Sequence, residues 1–525
     1  MTGQRQPRIE AVGAYAPRFR VSAEAFEEAW GQFHAPGVTE KAVPDADEDA
    51  LTMAYEAAAR ALDAADRDGD EVAFLAFAST TPPLAEEDLT ARLGGMVGVP
   101  ADATRHVFTG STRAGTRALD AALSAGPWSS EPSGEDASPD ASGESVGLVV
   151  AADCPRGDPD SDEDHAAGAG AAAFVLSESG DAAVRRRAEY AEEFPGTRFR
   201  RAGSETVEGL GATGYERQAF TDTLAGAVEQ LDVDGSEIDA AAVQTPNGKM
   251  PYRAAGALGV DSEAIQRCAT VHELGDTGAA SVPLGLARAL ADGEAGDASK
   301  RSSGEERSDD PRDDGGEARV LAASFGSGAG ADALLVETGA SGDDGDGVAA
   351  SLALDDGEQV TYAEYLRKRG ELTSGPPEGG GAYVSVPSWK RTLDQRHRLV
   401  AGKCPECGGL NFPPEGACND CKTLVDEYDE VKLTGEGTVE AATVISQGGA
   451  PPEFAEQQAQ SGDFGVAVVA LDGPDGGSAS VPAQVVAADP ADVAIGDRVG
   501  TTMRRIYTQE GVTRYGFKVR PQGTT

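Results

Sequence analysis

The chain has 525 residues, which is long enough for two to four domains with buried cores. Its 89 acidic residues outnumber its 44 basic residues, so the formal net charge is −45, and only nine of the basic residues are lysine. The acidity is spread along the chain, which is typical of proteins adapted to multimolar salt, where the Debye length is only about 3 Å. Such a charge disfavours nucleic-acid binding, because that binding depends on neutralising phosphates.

The sequence also indicates the cellular compartment in which the protein resides. The first ten residues lack the apolar core of a signal peptide, and no run reaches the roughly 18 apolar residues of a membrane span. Four of the six cysteines lie between 404 and 421, whereas Cys154 and Cys268 are isolated. This distribution predicts a metal site in a reducing compartment rather than a disulfide framework. We therefore expect a cytoplasmic protein that does not bind membranes.

Residues 1–338 alternate apolar strands with amphipathic helices. The predicted strands are 72–80, 106–110, 146–153, 239–245, 318–326 and 331–338. The predicted helices are 49–65, 89–99, one following Thr112, 219–231, 252–259 and 279–292. This order predicts an α/β domain with a parallel-dominated sheet covered on both faces. Two rounds of the plan, at about 1–180 and 181–338, indicate an internal duplication.

Three stretches rich in Gly, Ser, Asp and Glu interrupt this pattern, at 127–145, 292–318 and 339–347. They carry too few large apolar residues to order themselves. We predict that the first two are surface loops within the domain. The third opens an acidic linker over 339–360.

The stretch FTGSTRAGTRALDAALSAG, residues 108–126, joins an apolar strand to an alanine-rich helix through a turn at Gly110 and Ser111. A strand-turn-helix elbow of this kind presents a nucleophile at a helix N-terminus. The residue in that position is Thr112.

The C-terminal part begins with a helical segment over 361–400, in which 388–400 is locally basic. A zinc ribbon is predicted at 401–424, because KCPECGGLNFPPEGACNDCK holds two Cys-x-x-Cys knuckles, formed by Cys404, Cys407, Cys418 and Cys421. Four thiolates complete the tetrahedral coordination of Zn²⁺ and leave no open position, so the metal would be structural. Iron in a rubredoxin-like site is the alternative. Five short β segments in 425–525 predict a small barrel.

Four motifs of the first 338 residues resemble, in order, the signatures of archaeal-type hydroxymethylglutaryl-CoA synthases of the thiolase superfamily. They are FTGSTRAGTRAL, QTPNGKMP, GDTGAASVPLGLARAL and FGSGAGADALLV. The resemblance implies a duplicated thiolase fold with α/β/α/β/α layers, a homodimer, and a CoA thioester as ligand or substrate. Residues 361–525 resemble a second family, a rubredoxin-like zinc ribbon with an OB-fold that associates with acyl-CoA thiolases and synthases. This implies an acetyl-CoA acetyltransferase as a partner.

The resemblance also places the condensing residues of the synthases. The cysteine nucleophile falls on Thr112, the histidine on Gln244, the glutamate on Thr80 and the asparagine on Asp276. A threonine hydroxyl has no thiolate-like fraction at neutral pH, so acyl-enzyme formation loses its driving force. The resemblance therefore implies an acyl-CoA-binding protein with a degenerate condensing site.

Other residues are candidates on the same grounds. Positions matching substrate or CoA contacts are Asn247, Lys249, Gly275, Asp276 and Ser327. His272 is a candidate to line the pocket, although the sequence favours a site outside it. His165 is expected to cap a loop, and Cys154 and Cys268 to be structural thiols rather than relocated nucleophiles. The acidic run Glu86, Glu87 and Asp88 is interpreted as a solvated helix start.

Two alternatives to a degenerate synthase stay open. One is a thiolase-type aldolase that cleaves an acyl-CoA without a cysteine, using Tyr252 or His272. The other is a non-catalytic scaffold for a thiolase or synthase. We expect the barrel to dock on the thiolase-like domain. Four basic residues would either contact a CoA phosphate or balance local acids: Lys390, Arg391, Arg396 and Arg398.

Overall fold

The computed structural model describes residues 7–125, 145–302, 318–339, 347–355, 357–372, 385–446, 450, 454–509 and 511–522. Most of the predicted loops at 127–145 and 292–318 lie outside these ranges. The chain forms two compact units. The first comprises Met1–Val43, Asp49–Gly94 and Gly98–Tyr362, and the second comprises Pro44–Glu48, Gly95–Val97 and Ala363–Thr525.

Strands and helices alternate through the first unit, as the sequence predicts. Its strands are β1 Arg8–Tyr15, β2 Phe19–Ser22, β3 Glu40–Val43, β4 Val72–Ala78, β5 Thr104–Phe108, β6 Val146–Asp153, β7 Gly170–Ser177, β8 Ala183–Phe194, β9 Ala240–Val243, β10 Arg319–Gly326, β11 Gly328–Glu337, β12 Ala349–Ala353 and β13 Glu358–Gln359. Its helices are α1 Ala23–Trp30, α2 Ala50–Ala64, α3 Leu89–Val97, α4 Ala114–Ala125, α5 Asp162–Ala166, α6 Thr213–Glu229, α7 Met250–Leu258, α8 Ser262–Cys268, α9 Val271–Leu274 and α10 Ser281–Ser302.

The two main sheets repeat one topology. The first has the order β12-β1-β7-β6-β4-β5 and the second has the order β8-β11-β10-β9. The quartet β1-β7-β6-β4 is paired antiparallel, antiparallel and then parallel, and β8-β11-β10-β9 has the same sequence of pairings. This correspondence supports the predicted duplication within an α/β fold.

The prediction of a parallel-dominated sheet holds for the first sheet, in which three of the five strand pairings are parallel, but not for the second. In the second sheet only β9 and β10 are parallel. The reason is local: β10 and β11 are separated by Ser327 alone, a connection too short for the crossover that parallel strands require.

Five layers result from the way the helices pack. Helices α4 and α10 lie between the two sheets and share one apolar core with both. Helix α2 covers the outer face of the first sheet, and α6 and α8 cover the second. Small residues allow the close central packing, since a Cβ on Gly115 would lie 2.4 Å from the Ala279 carbonyl oxygen. The predicted α/β/α/β/α thiolase architecture is confirmed.

Two predicted boundaries need correction. The proposed linker 339–360 contains β12, which pairs in parallel with β1, and β13, which pairs with β2. Its apolar run VAASLAL is a sheet edge, which the neighbouring acidic composition concealed. Helix α10 continues to Ser302, beyond the predicted end at 292.

The second unit contains short helices, a small sheet and a closed barrel. Its helices are α11 Tyr362–Lys368, α12 Val386–Arg391, α13 Leu393–Arg398 and α14 Ala455–Ser461. Its strands are β14 Val400–Lys403, β15 Leu410–Asn411, β16 Asp429–Lys432, β17 Glu436–Ile445, β18 Phe464–Asp472, β19 Ser478–Val485, β20 Arg498–Gln509 and β21 Val512–Pro521. The sheet has the order β15-β14-β16, and the barrel has the order β17-β18-β19-β21-β20.

The barrel confirms the five predicted β segments. Alternate residues of β18 and β19 are buried, as expected for strands with one face toward a barrel interior. The predicted basic helix at 388–400 is interrupted at Thr392 and forms α12 and α13 instead. Within the described ranges, no helix has both the length and the apolar character needed to cross a membrane.

Candidate functional site

A cavity of about 290 Å³ opens in the first unit, at the N-terminal end of α4. Five of the predicted site residues line it: Thr112, Gln244, Asn247, Asp276 and Ser327. They come from the elbow before α4, the loop after β9, the turn after α9 and the β10–β11 hairpin. The fold therefore brings together positions that lie far apart in the sequence.

Thr112 occupies the predicted elbow. The turn before it contains Gly110 with a φ of 80°, a conformation that favours glycine. The Thr112 side chain is buried, and its hydroxyl donates a hydrogen bond of 2.5 Å to the Phe325 carbonyl oxygen. A carbonyl oxygen does not take up the proton at neutral pH, so this contact does not activate the hydroxyl as a nucleophile.

Gln244 lies at the end of β9 and is 2% exposed. Its Nε2 donates to the Gly278 carbonyl oxygen at 2.9 Å, which fixes the orientation of the amide. Its Oε1 is buried and has no hydrogen-bond partner among the described residues. An amide does not titrate near neutral pH, so Gln244 cannot replace a histidine as a general base.

Asp276 forms an ion pair with Arg198 at the cavity wall. Its other carboxylate oxygen accepts from the Gly278 N–H at 2.9 Å, and the Arg198 backbone N–H donates to Ser327 Oγ at 3.1 Å. Burial lowers the pKa of Arg198, although Asp153 and Glu163 act in the opposite direction. The motifs gave no indication of Arg198.

Thr80, the position of the family glutamate, does not line the cavity. Its hydroxyl donates to Asp153 at 2.6 Å. The fully buried Asp153 carboxylate also accepts from the Ser79 hydroxyl, from the backbone and hydroxyl of Thr81, and from the backbone of Thr80 and Ala279. Asp153 thus anchors the loop after β4. A carboxylate ending the wholly apolar strand VGLVVAAD is the signal that could have identified it.

His272, the low-ranked candidate for the pocket, lies outside the cavity wall. Its Nδ1 lies 2.5 Å from the Gly37 carbonyl oxygen, and its Nε2 lies 2.8 Å from the Tyr252 hydroxyl. Because a carbonyl only accepts, Nδ1 carries the proton and Nε2 accepts from Tyr252. Neither ring lines the cavity. His272 holds the loop at Gly37 and Tyr252 holds the His272 ring, which argues against the aldolase roles considered for them.

Several ionisable residues that the motifs did not indicate line the cavity: His34, Asp162, Glu163, Glu216 and Arg253. Burial raises the pKa of Glu163, and the nearby carboxylates of Asp162 and Glu216 raise it further. His34 Nδ1 lies 3.4 Å from Asp162 Oδ1. The cavity therefore carries carboxyl groups, although none stands at the position of the family glutamate.

His165 and the two isolated cysteines have no place in the cavity wall. His165 is fully buried, and its Nδ1 accepts from the His34 backbone N–H at 2.8 Å, so it holds the loop that carries His34. Burial raises the pKa of Cys154 to about 11 and that of Cys268 to about 12. At neutral pH neither thiol is a nucleophile.

The remaining candidates serve the local backbone. Lys249 does not line the cavity, and its backbone N–H donates to Asn247 Oδ1 at 3.0 Å. Gly275 has a φ of 77°, and a Cβ there would lie 2.7 Å from the Ala166 carbonyl oxygen. Asp88 caps α3, and Glu87 pairs with Arg92, as expected of a solvated helix start.

The second unit brings the four clustered cysteines together. All four Sγ atoms lie within 4.8 Å of one another, with 3.8 Å between Cys404 and Cys421 and 3.6 Å between Cys407 and Cys418. A tetrahedral site with Zn–S bonds of about 2.3 Å requires sulfur separations of about 3.8 Å. The geometry therefore fits zinc.

Three of the four predicted basic residues have local partners. The Arg396 guanidinium stacks 3.8 Å from the Trp389 ring centre, Arg398 pairs with Asp394, and Arg391 donates to the Ser388 hydroxyl. These contacts favour the interpretation that the stretch balances local groups.

Two family models match the C-terminal part of the chain. The rubredoxin-like zinc ribbon domain of ChsH2 matches residues 391–425, and the C-terminal OB-fold domain of ChsH2 matches residues 430–504. These matches agree with the cysteine cluster and with the closed barrel.

The rest of the chain is similar to hydroxymethylglutaryl-CoA synthases. The synthase of Methanopyrus kandleri is 28% identical over 378 residues, which cover 69% of this chain and 97% of that protein. The synthase of Pyrococcus horikoshii is 29% identical over 334 residues, which cover 62% and 85%.

Solved structures show the same fold. A hydroxymethylglutaryl-CoA synthase complexed with CoA superposes with a TM-score of 0.55 at 15% identity, covering 72% of this chain and 94% of that one. MvaS in complex with 3-hydroxy-3-methylglutaryl-CoA gives a TM-score of 0.54 at 19% identity, covering 72% and 95%.

Proposed function

Because the chain joins a hydroxymethylglutaryl-CoA-synthase-like thiolase fold to ChsH2-type zinc-ribbon and OB-fold domains, we propose that its cavity binds a CoA thioester without catalysing the synthase condensation. One observation carries the proposal. Thr112, Gln244 and Asp276 meet in one cavity, and none of them supplies the chemistry of a condensing enzyme.

The condensation requires three chemical groups that positions 112, 244 and 80 do not supply. Acyl transfer needs a thiolate or an activated hydroxyl, but the Thr112 hydroxyl donates to a backbone carbonyl. Proton transfer at the next position needs a titratable group, but Gln244 is an amide. The carboxylate expected at position 80 is a threonine, which is bonded to Asp153. The absence of these groups at the three positions supports a cavity that binds a thioester without forming an acyl-enzyme.

A second candidate is cleavage of a hydroxyacyl-CoA by retro-aldol chemistry, which needs a base but no cysteine. The observation that favours it is Glu163 in the cavity wall, with a raised pKa that suits proton transfer. The carboxylate would take the hydroxyl proton, the bond between the α and β carbons would break, a carbonyl product would leave, and the thioester enolate would be reprotonated at the α carbon.

For the second unit, we propose one structural Zn²⁺ held by Cys404, Cys407, Cys418 and Cys421. The sulfur separations support tetrahedral coordination, and four thiolates leave no position for a substrate. A homodimer and an acetyl-CoA acetyltransferase partner are further proposals. Light scattering and affinity capture from native extract, both in molar KCl, test them.

The experiment for the main proposal combines binding with turnover. In molar KCl, isothermal titration should detect binding of acetyl-CoA or acetoacetyl-CoA, and mass spectrometry should detect neither an acetylated protein nor hydroxymethylglutaryl-CoA. Turnover that is abolished by Thr112→Ala would contradict the proposal. Cleavage that is lost in Glu163→Gln, with thioester binding retained, would instead establish the second candidate.

A further inference from the structure

His34 lines the cavity and is held at two points by residues of α5. Its ring Nδ1 lies 3.4 Å from Asp162 Oδ1, and its backbone N–H donates to His165 Nδ1 at 2.8 Å. His165 is itself fixed, because it is fully buried and its ring stacks on that of Phe33. Both the backbone and the ring of His34 therefore have a defined position in the cavity wall.

The contact with Asp162 determines which ring nitrogen of His34 is basic. A carboxylate oxygen only accepts, so in neutral His34 the proton lies on Nδ1 and Nε2 keeps its lone pair. The His34 side chain is 37% exposed, so both water and a bound molecule can reach it. A contact of 3.4 Å is long for a hydrogen bond to a carboxylate, but such contacts often shorten when a ligand binds. The two side chains thus have the arrangement of an acid–base pair, in which the carboxylate stabilises an imidazolium.

Other groups of the wall supply hydrogen-bond donors for a thioester oxygen. Asn247 Oδ1 accepts from the backbone N–H groups of Lys249 and Met250, which leaves its Nδ2 to donate to another acceptor. Arg198 and Arg253 also line the cavity. These donors stabilise negative charge on an oxygen, but they have no basic lone pair and cannot take a proton from carbon. A different group of the wall is needed for that transfer.

Resting on the proposed thioester binding, we propose that His34, paired with Asp162, transfers protons at the carbon next to the thioester carbonyl. Nε2 takes one hydrogen of this carbon as a proton. The C–H electron pair becomes the carbon–carbon double bond of an enolate, whose charge lies on the thioester oxygen. The imidazolium then returns a proton to the same carbon, which regenerates the thioester and neutral His34. Because the exposed ring exchanges its proton with solvent, a hydrogen of the thioester is replaced by one from water.

This step supplies what the retro-aldol candidate lacks. Cleavage of a hydroxyacyl-CoA needs one group for the hydroxyl proton, the role considered for Glu163, and a second group that reprotonates the α carbon. Asp162 and Glu163 are consecutive residues of α5 and both line the cavity, so α5 brings the two groups to one part of the wall. A thioester without a β-hydroxyl cannot be cleaved in this way. Proton exchange on such a compound therefore isolates the step assigned to His34.

The experiment follows the exchange of the α hydrogens of butyryl-CoA for deuterium by NMR, in D₂O with molar KCl at pD 7. We expect the protein to accelerate exchange at least about a hundredfold over the protein-free rate. His34→Ala should lose this acceleration but retain butyryl-CoA binding, which isothermal titration measures. Free imidazole should restore exchange in His34→Ala, a rescue that a purely structural role of His34 would not give. Asp162→Ala should lower the exchange rate about tenfold, and Asp162→Glu should restore it.

His106→Ala is the matched control, because His106 lies exposed on β5 outside the cavity and should leave exchange unchanged. Binding of butyryl-CoA without accelerated exchange would overturn the inference while leaving the proposed function standing. Absence of binding would overturn both. Exchange that persists in His34→Ala but is lost in Glu163→Gln would assign the transfer to Glu163 and overturn the role of His34. If His34→Ala does not fold, the exposed Asp162 decides, because unchanged exchange in Asp162→Ala would overturn the pair.

Discussion

Asp153→Asn replaces the buried carboxylate that anchors the loop after β4 with a group of the same shape. One carboxylate oxygen accepts from the Ser79 hydroxyl, the Thr80 backbone N–H, and the backbone N–H and hydroxyl of Thr81. The other accepts from the Thr80 hydroxyl and the Ala279 N–H. An asparagine keeps one acceptor and turns its NH₂ toward the second pair. The Thr80 hydroxyl can rotate to accept, but the Ala279 N–H cannot.

The magnitude follows from those contacts. A buried N–H that faces another donor costs about 2 kcal/mol, and loss of the negative charge weakens the remaining hydrogen bonds by about the same total. We therefore expect the free energy of unfolding of the first unit to fall by about 4 kcal/mol. This is a large part of the total free energy of unfolding of a typical domain, which is about 5–15 kcal/mol.

Hydrogen exchange of individual amides measures the loss of stability in Asp153→Asn near the replaced side chain. Amides of β6, which is buried throughout, should lose about a thousandfold in protection. Asp158→Asn makes the same charge change at an exposed position of the following loop and should leave that protection unaltered. Protection in Asp153→Asn within about threefold of the unaltered chain would refute the anchoring argument.

Three further predictions concern the metal, the elbow and pH. Replacing Cys404 and Cys407 with Ser should lower the zinc content from one per chain to none and disorder the ribbon, while residues 1–338 stay folded. Cys154→Ser, the control, should keep the zinc. Metal analysis and circular dichroism measure the zinc content and the folding, and one zinc retained in the double variant would show that the assignment is wrong. Thr112→Cys should not form hydroxymethylglutaryl-CoA, because no histidine lies at the position of the family base; product detected by mass spectrometry would count against this. Burial raises the pKa of Glu163 in the folded state. Ionisation of Glu163 therefore lowers the free energy of unfolding above that pKa, and it has no effect on this free energy below the ordinary glutamate pKa of about 4.3. Glu163→Gln should thus raise the free energy of unfolding at pH 8, with a gain that vanishes toward pH 4, as denaturant titration at each pH would show; a gain that is independent of pH would contradict it.

The features that the sequence predicts well are those encoded locally. The elbow at Thr112 follows from a strand, a glycine turn and an alanine-rich helix within twenty residues, and the structure contains all three. The cysteine cluster follows from the spacing of two knuckles. In both cases neighbouring residues carry the whole signal.

The features that were missed depend on contacts between distant residues. Arg198 and Asp276 are 78 positions apart, and Asp153 bonds a loop 73 positions before it. No periodicity links such partners, because the fold alone brings them together. The contacts of His272 have the same origin, because its partners Gly37 and Tyr252 come from other elements of the fold.

The central claim is that the cavity around Thr112, Gln244 and Asp276 binds a CoA thioester without condensing it. The most direct measurement mixes stoichiometric protein with acetyl-CoA and acetoacetyl-CoA in molar KCl, separates the protein by rapid gel filtration, and identifies all CoA species by mass spectrometry. Our account predicts that intact thioester elutes with the protein and that no hydroxymethylglutaryl-CoA forms. Hydroxymethylglutaryl-CoA at or above one equivalent per chain would contradict it, as would the absence of any thioester bound to the protein.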